Sequence, residues 1–422
     1  MVKEGPKIVI PNDVIGEIVK LKPIKRFGFL AVLSNVGFLL LWVGQLTSQL
    51  ADRIFVYVLM VIIYQSTHSI LGVSLPLLSF GIPSVLISPW AGIMADRFNR
   101  KWILVISDLT RGLLILLIIP LIAKSLLWIF LVSLLVYSAA QFFAPAETSS
   151  IPELVEKHNL IVANSLFMIT WMASSVVGLG LGAPIVNLLN ENKTLMVSAV
   201  LYFVSTAAII LIPIKPREQT LVKSHVLADI RTGFEFIRRN QVVRYSLLKL
   251  FVAAAAVATL SVLAISYASD VLMIGERNFG YLIIVIGAGM LVGMFTLEKL
   301  RHYFKLGTIV VASFLMSGLV LMSLALVKDI RVAVILIFLL GLGNIYITSS
   351  IQTILQHKVP RQIRGRVFGV QNMLVNSAFT LPVVLFGFIA DVWGILLAIS
   401  VLGGLVLLTG LAGLFLPKFK TV

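Results

Sequence analysis

The chain has 422 residues, of which 59% are hydrophobic and only 12% charged, and its formal net charge is +16. A soluble domain carries about 25% charge, so this composition cannot supply a water-facing surface. The absence of cysteine excludes disulfides, thiolate metal sites and cysteine nucleophiles, and the histidines show no metal-ligand spacing.

Residues 1–27 are polar and mixed, and no cleavable signal segment is visible in them. Within them, Asp13 to Lys25 intersperses Val14, Ile15, Ile18, Val19 and Leu21 with charges, a pattern open to either a short interfacial helix or a solvated tail. Apolar runs then recur at 34–64, 69–91, 102–123, 126–147, 160–189, 194–213, 245–269, 279–297, 307–327, 331–355, 366–390 and 393–416. Each is long enough to cross a hydrocarbon core of about 30 Å. The expected architecture is an all-α polytopic membrane protein with twelve transmembrane helices in two six-helix bundles. The expected divisions are a tail (1–27), a first bundle (28–213), a linker (214–244), a second bundle (245–416) and a short tail (417–422).

Twelve spans put both termini on one side. Loops and span ends on that side hold 27 of the 34 Lys and Arg residues, and the opposite loops hold five. Inner loops collect Lys and Arg, so this asymmetry predicts cytoplasmic termini. It also makes inner-leaflet anionic lipid, rather than nucleic acid, the natural partner of the basic loops.

In the first span, Trp42, Gln45, Gln49 and Asp52 recur at steps of three or four and form one polar stripe. That stripe is expected to line a cavity. Charged side chains inside a membrane are functional candidates by default, and Asp52, with its neighbour Arg53, is the candidate for proton coupling. The alternative is that Asp52 is a permanently ionised partner of an arginine. Asp108 and Arg111 in the third span are spaced to pair on one helix face, and Glu147 in the fourth lies at a similar depth. These three read as part of an inner latch. Arg364 and Arg366 open the eleventh span and are expected to reach Asp96 or Glu147. Further cavity candidates are Gln141, Phe142, Phe167, Trp171, Gln352, Asn372, Asn376 and Phe379, a set of amides and aromatics suited to a neutral or cationic amphipath.

The linker contains Val226 to Arg239, with Leu227, Ile230, Phe234 and Ile237 on one side of a helical pattern. An amphipathic helix on the inner leaflet and a solvated linker both fit it. A repeat is visible on either side: Pro152 to Asn164 and Pro360 to Asn372 each place Pro and Asn twelve positions apart, at an offset of 208.

Between the second and third spans stands GIMADRFNRK, Gly92 to Lys101. It resembles the cytoplasmic signature of the major facilitator superfamily, with matches at Gly92, Asp96, Arg97, Arg100 and Lys101. The same loop of the second half, from Gly293, has Leu297 where the aspartate would stand. LWVGQLTSQLAD in the first span, FFAPAETSSIPELV and ANSL around the fifth, and VPRQIRGRVFG before the eleventh resemble the bacterial macrolide-efflux and enterobactin-exporter-like branch. The fifth span departs from the antiporter pattern GPxxGG, with Leu179 after Gly178. The resemblance implies a pseudo-symmetric fold, a latch role for the signature loop, and export of a small molecule by a monomer. No cofactor is expected, the energy coming from the proton gradient. Gly92 is expected to allow close helix approach. A lipid or lysophospholipid flippase and a non-transporting sensor remain as alternatives, whereas no paired catalytic groups point to an enzyme.

Overall fold

The computed structural model describes residues 32–122, 124–213 and 226–415. The segment 13–25, considered above as an interfacial helix, lies outside the described residues. So do the side chains of Asp96 and of residues 226–232.

The spanning helices are α1 (Val36–Thr67), α3 (Arg100–Ile122), α4 (Leu126–Leu154), α5 (Leu160–Leu189), α6 (Glu191–Ile210), α7 (Gln241–Val271), α8 (Phe279–Tyr303), α9 (Leu306–Leu324), α10 (Ile330–Lys358), α11 (Arg364–Trp393) and α12 (Ile395–Leu414). Among the described residues these eleven are long and apolar enough to cross a membrane. The remaining span, α2, is built from three pieces, Ile70–Val73, Leu75–Leu86 and Ser88–Arg97. Proline explains the breaks. Pro76 and Pro89 sit in the first turns of the second and third pieces, and Pro83 lies inside the second, each removing a backbone donor. Pro382 interrupts α11 in the same way after Ala378. Polar side chains start several spans: Asn35 accepts from the Phe38 amide, Asn190 from Lys193, and Asp329 from Arg331 and Val332.

Helices α4, α5 and α6 recur as α10, α11 and α12 with every start and end displaced by 204 residues. This corrects the offset of 208. Pro152 lies within α4, whereas Pro360 precedes the 3-10 turn Arg361–Ile363 that leads into α11. Its counterpart is Glu156, which precedes the turn Lys157–Asn159. A slip of four residues is close to one helical turn and leaves the faces nearly unchanged, which is how the sequence match arises out of register.

In the first bundle α1 packs on α5 and α6, and α3 on α4 and α6; in the second α8 packs on α10, and α9 on α10 and α12. Helices α8 and α10 cross closely at two glycines. A Cβ added at Gly289 would collide with the Phe338 carbonyl oxygen, and one added at Gly341 with that of Ile286. Neither backbone can yield without separating the helices. Gly341→Val is therefore expected to destabilise the protein by about 1–3 kcal/mol, read as a lower midpoint of heat-induced aggregation in detergent.

The linker forms a helix over Val226–Arg239. It packs on the start of α11, where Gly233 lies so near the Arg366 carbonyl that an added Cβ would stand 2.9 Å from its oxygen. Ile237 is buried and Phe234 exposed, while Leu227 and Ile230 lie outside the described side chains.

Candidate functional site

The centre of the first bundle holds a charged network drawn from three helices. Asp108 and Arg111, one turn apart on α3, are fully buried and paired. Arg111 also reaches Asp52 on α1, Nη1 to Oδ2 3.2 Å, and donates to Ser48 Oγ at 3.0 Å. From α6, the Tyr202 hydroxyl donates to Asp52 and the Ser205 hydroxyl to Asp108. The Arg111 guanidinium stacks over the rings of Tyr202, at 4.6 Å, and Phe143, at 5.0 Å. One guanidinium thus serves two carboxylates. They differ in access: the Asp108 side chain is 0% exposed and that of Asp52 26%. Glu147 on α4 is buried nearby, within electrostatic range of Asp108 and Arg111, and its Oε1 has no hydrogen-bond partner among the described residues.

Two expectations change. The division of Asp52 from an Asp108–Arg111–Glu147 latch does not hold, because Arg111 joins Asp52 and Asp108 in one core. The stripe on α1 is also two ridges. Ser48 and Asp52 face α3 and α6, whereas Trp42 and Gln45 face α5, with Trp42 Nε1 donating to Thr170 Oγ1 (2.8 Å) and Gln45 Nε2 to the Phe167 carbonyl (3.3 Å). The ring of Phe167 is itself buried against Phe38. These three side chains hold α1 to α5 rather than lining open space. A 100° step per residue separates the ridges, a difference that spacing read as a single stripe conceals. Tyr202, Ser48 and Ser205 were missed. Ser198, Tyr202 and Ser205 do recur at helical spacing along α6, which was the available signal.

Displacement by 204 residues carries Asp52, Asp108, Arg111 and Glu147 onto Ala256, Ala312, Leu315 and Ile351. The repeat copies the helices but not the charges, so this ion chemistry belongs to the first bundle alone.

At the side where α1 begins and α12 ends, the signature loop binds its own bundle. Arg100 pairs with Glu153 at 2.5 Å and donates to the Ser149 carbonyl at 2.7 Å, while Lys101 donates to the Ile212 carbonyl at 2.9 Å. Arg97 is exposed. Gly92 makes no close approach: a Cβ there would meet no atom within 4 Å, and the same is true of Gly365 and Gly369 near the start of α11. Arg364 donates to the Gln356 carbonyl of α10 (2.7 Å) and to that of Val359, not to Glu147; the expected contact with Asp96 falls on a side chain outside the described residues. The Arg366 carbonyl faces the linker helix. The physical reason for these departures lies in how the bundles meet.

Contacts between bundles concentrate at the far side. Asp391 on α11 accepts from Ser69 Oγ (2.6 Å) and from the amides of Ile70 (2.7 Å) and Leu71 (3.1 Å) at the start of α2. The Tyr64 hydroxyl donates to Asp270 at 2.6 Å, Gln65 to Glu276 at 2.9 Å, and Arg277 pairs with Glu191 at 2.6 Å. Two turns before Tyr64, Tyr57 stacks on Phe279 and donates to the Arg277 carbonyl. Gly180 on α5 abuts Ile284 on α8, and Gly182 abuts Tyr57. On the terminus side of the Val176–Gly287 contact, Met168, Ile169 and Trp171 of α5 and Leu291, Met294 and Phe295 of α8 are exposed, and Gly92, Gly365 and Gly369 meet no atom of the other bundle among the described residues. The far side is closed and the terminus side open.

Of the remaining cavity candidates, Gln141 donates to the Tyr137 carbonyl, Phe142 is half-buried, and Gln352 accepts from Gln371 at 3.0 Å. Asn372 and Asn376 are exposed on α11, and Phe379 packs on the core.

The profile of the Major Facilitator Superfamily matches residues 41–382. The chain belongs to this superfamily. It is 27% identical over 404 residues to the uncharacterized MFS-type transporter YfiS of Bacillus subtilis, covering 91% of this chain and 94% of that one. The multidrug efflux pump Tap of Mycolicibacterium fortuitum is 23% identical over 400 residues (90% and 96% covered), and macrolide efflux protein A of Streptococcus pyogenes is 23% identical over 377 (86% and 91%). In fold it resembles the nucleoside transporter NupG, with a TM-score of 0.71, 15% identity and 90% and 98% coverage. It also resembles a bacterial homologue of the lysosomal transporter Spinster in an inward-facing, occupied conformation, at 0.72, 13%, and 91% and 97%. The protein is a multi-pass membrane transporter, not an enzyme.

Proposed function

We propose that this transporter exports an amphipathic small molecule across a bacterial cell membrane by alternating access, driven by the proton gradient. The terminus side is then cytoplasmic, in keeping with its excess of Lys and Arg, and the conformation described is open to the cytoplasm. The names of the efflux relatives support the direction. Gly92, Gly365 and Gly369, with free space around them, suit the close approach of α2 and α11 in the opposite state, where Asp96 and the basic loop would latch. The protein works as a monomer without a bound cofactor, its basic loops resting on anionic lipid.

The observation that carries the coupling is the sharing of Arg111 between a sealed carboxylate and a partly open one. A proton on Asp52 releases Arg111 wholly to Asp108 and loosens α1 from α3 and α6. Loss of the proton draws them together. The same helix carries Tyr57 and Tyr64, which hold the far side shut, so a change at Asp52 is transmitted along one rigid element. Asp52→Asn is therefore expected to lower pH-gradient-driven flux of whichever amphipathic probe the wild type carries, cholate or ethidium, in proteoliposomes more than tenfold, while passive exchange persists. Undiminished gradient-driven flux would remove Asp52 from the mechanism.

A further inference from the structure

One charged group has no place in the network. Arg53 follows Asp52, but successive side chains on a helix diverge by about 100°, and the Asp52 carboxylate is already occupied by Arg111 and Tyr202. Arg53 has no ion-pair or hydrogen-bond partner among the described residues, and its Nε is buried without an acceptor. A guanidinium in such a position is costly.

Its surroundings point to what completes it. Gln45, Gln49, Arg53 and Tyr57 stand four residues apart on one ridge of α1. Tyr57 ends the ridge at the closed contact with α8, so Arg53 lies one turn below that closure, at the apex of the cleft. The Arg53 stem lies against Gly178 of α5, where an added Cβ would come within 2.6 Å of it. From Gly178, the same ridge of α5 runs down through Ser175 to Trp171 and Met168, both largely exposed. The Oε1 atoms of Gln45 and Gln49 also lack partners. Seven residues of helix rise place Trp171 about 10 Å below Gly178.

We propose that Arg53 is the receptor for an anionic group of the transported compound, with the apolar body of that compound lying along Trp171 and Met168 and the Gln49 amide meeting its polar groups. The cargo is then an amphipathic anion, not the neutral or cationic compound that the amides and aromatics alone suggest. A carboxylate or sulfonate pairs with guanidinium through parallel charge-assisted bonds, and Gly178 leaves room for the stem to reach the cleft. The proposal rests on the export reading for its meaning but not for its test.

Binding to purified protein in nanodiscs separates the possibilities, with two matched pairs as probes: cholate against its neutral amide, and 1-naphthylacetate against 1-naphthylacetamide. Tetraphenylphosphonium serves as the cation. The wild type is expected to bind at least one acid ten or more times tighter than its amide. Arg53→Gln should erase that difference, and Arg53→Lys should keep part of it. The variants' melting midpoints report that they remain folded. The assignment is overturned if neither acid binds better than its amide, if tetraphenylphosphonium binds tighter than both acids, or if R53Q weakens every probe equally, as it would were Arg53 only a counter-charge for Asp52. Should R53Q fail to fold, Gln49→Leu takes its place: weaker binding of acid and amide alike supports the placement of the ligand on this ridge, and unchanged affinity for both overturns it. Flux in proteoliposomes is scored apart: anion-selective binding without flux defeats the export reading alone, and flux indifferent to charge defeats the Arg53 assignment alone.

Discussion

Replacing Arg111 with leucine is expected to be the most damaging single change in the protein, lowering stability by about 3–5 kcal/mol. The side chain is 2% exposed and serves Asp108, which is sealed, and Asp52, which is partly open. Removing the guanidinium leaves two like charges in low dielectric with only hydroxyl partners. Purified Arg111→Leu should melt far below the wild type or fail to yield monodisperse protein. The double variant Arg111→Leu/Asp108→Leu, which removes the sealed charge together with its partner, should recover much of the loss, because excising a buried pair costs less than orphaning half of it. Equal damage in single and double variants would show that the guanidinium matters through its stacking on Tyr202 and Phe143 rather than through charge.

Cutting the far-side clasp is expected to shift the balance between conformations instead. Asp391 accepts three hydrogen bonds from the start of α2, and Asp270 accepts from Tyr64 and Ser266. Both carboxylates are solvent-exposed, so their worth is discounted to about 1–2 kcal/mol together, still about tenfold in a two-state equilibrium. The cysteine-free chain makes the measurement direct. Spin labels at cysteines replacing Leu188 and Leu326, exposed far-side positions in different bundles, report the distance across the closure. Asp270→Ala/Asp391→Ala should add a population at longer separation that is minor or missing without the substitutions. An unchanged distance distribution would assign the closure to the apolar contacts around Tyr57 and Phe279.

The network also explains why a transporter built from repeats can confine its ion chemistry to one half. Bundles related by 204 residues share helix lengths because both must span the same bilayer. Side chains at the bundle core face no such common demand, and alanine, leucine and isoleucine fill in the second bundle the positions that Asp52, Asp108, Arg111 and Glu147 occupy in the first.

What the sequence determined by itself follows from solvent. Apolar runs set the number of spans, the signature at Gly92 to Lys101 set the superfamily, and intramembrane charge singled out Asp52, Arg53, Asp108, Arg111 and Glu147. All of these are local properties, legible because a bilayer tolerates few polar residues and each one stands out. Partnership was not legible. That Arg111 joins Asp52 to Asp108, that Trp42 and Gln45 turn to α5, that Arg100 binds Glu153 of its own bundle, and that Arg53 is left over all depend on which helices are neighbours and at what rotation. A polar residue on a helix reveals that it must face something other than lipid, but 100° per residue leaves several neighbours within reach. Only the packing of α1 among α3, α5 and α6 decides which one it meets.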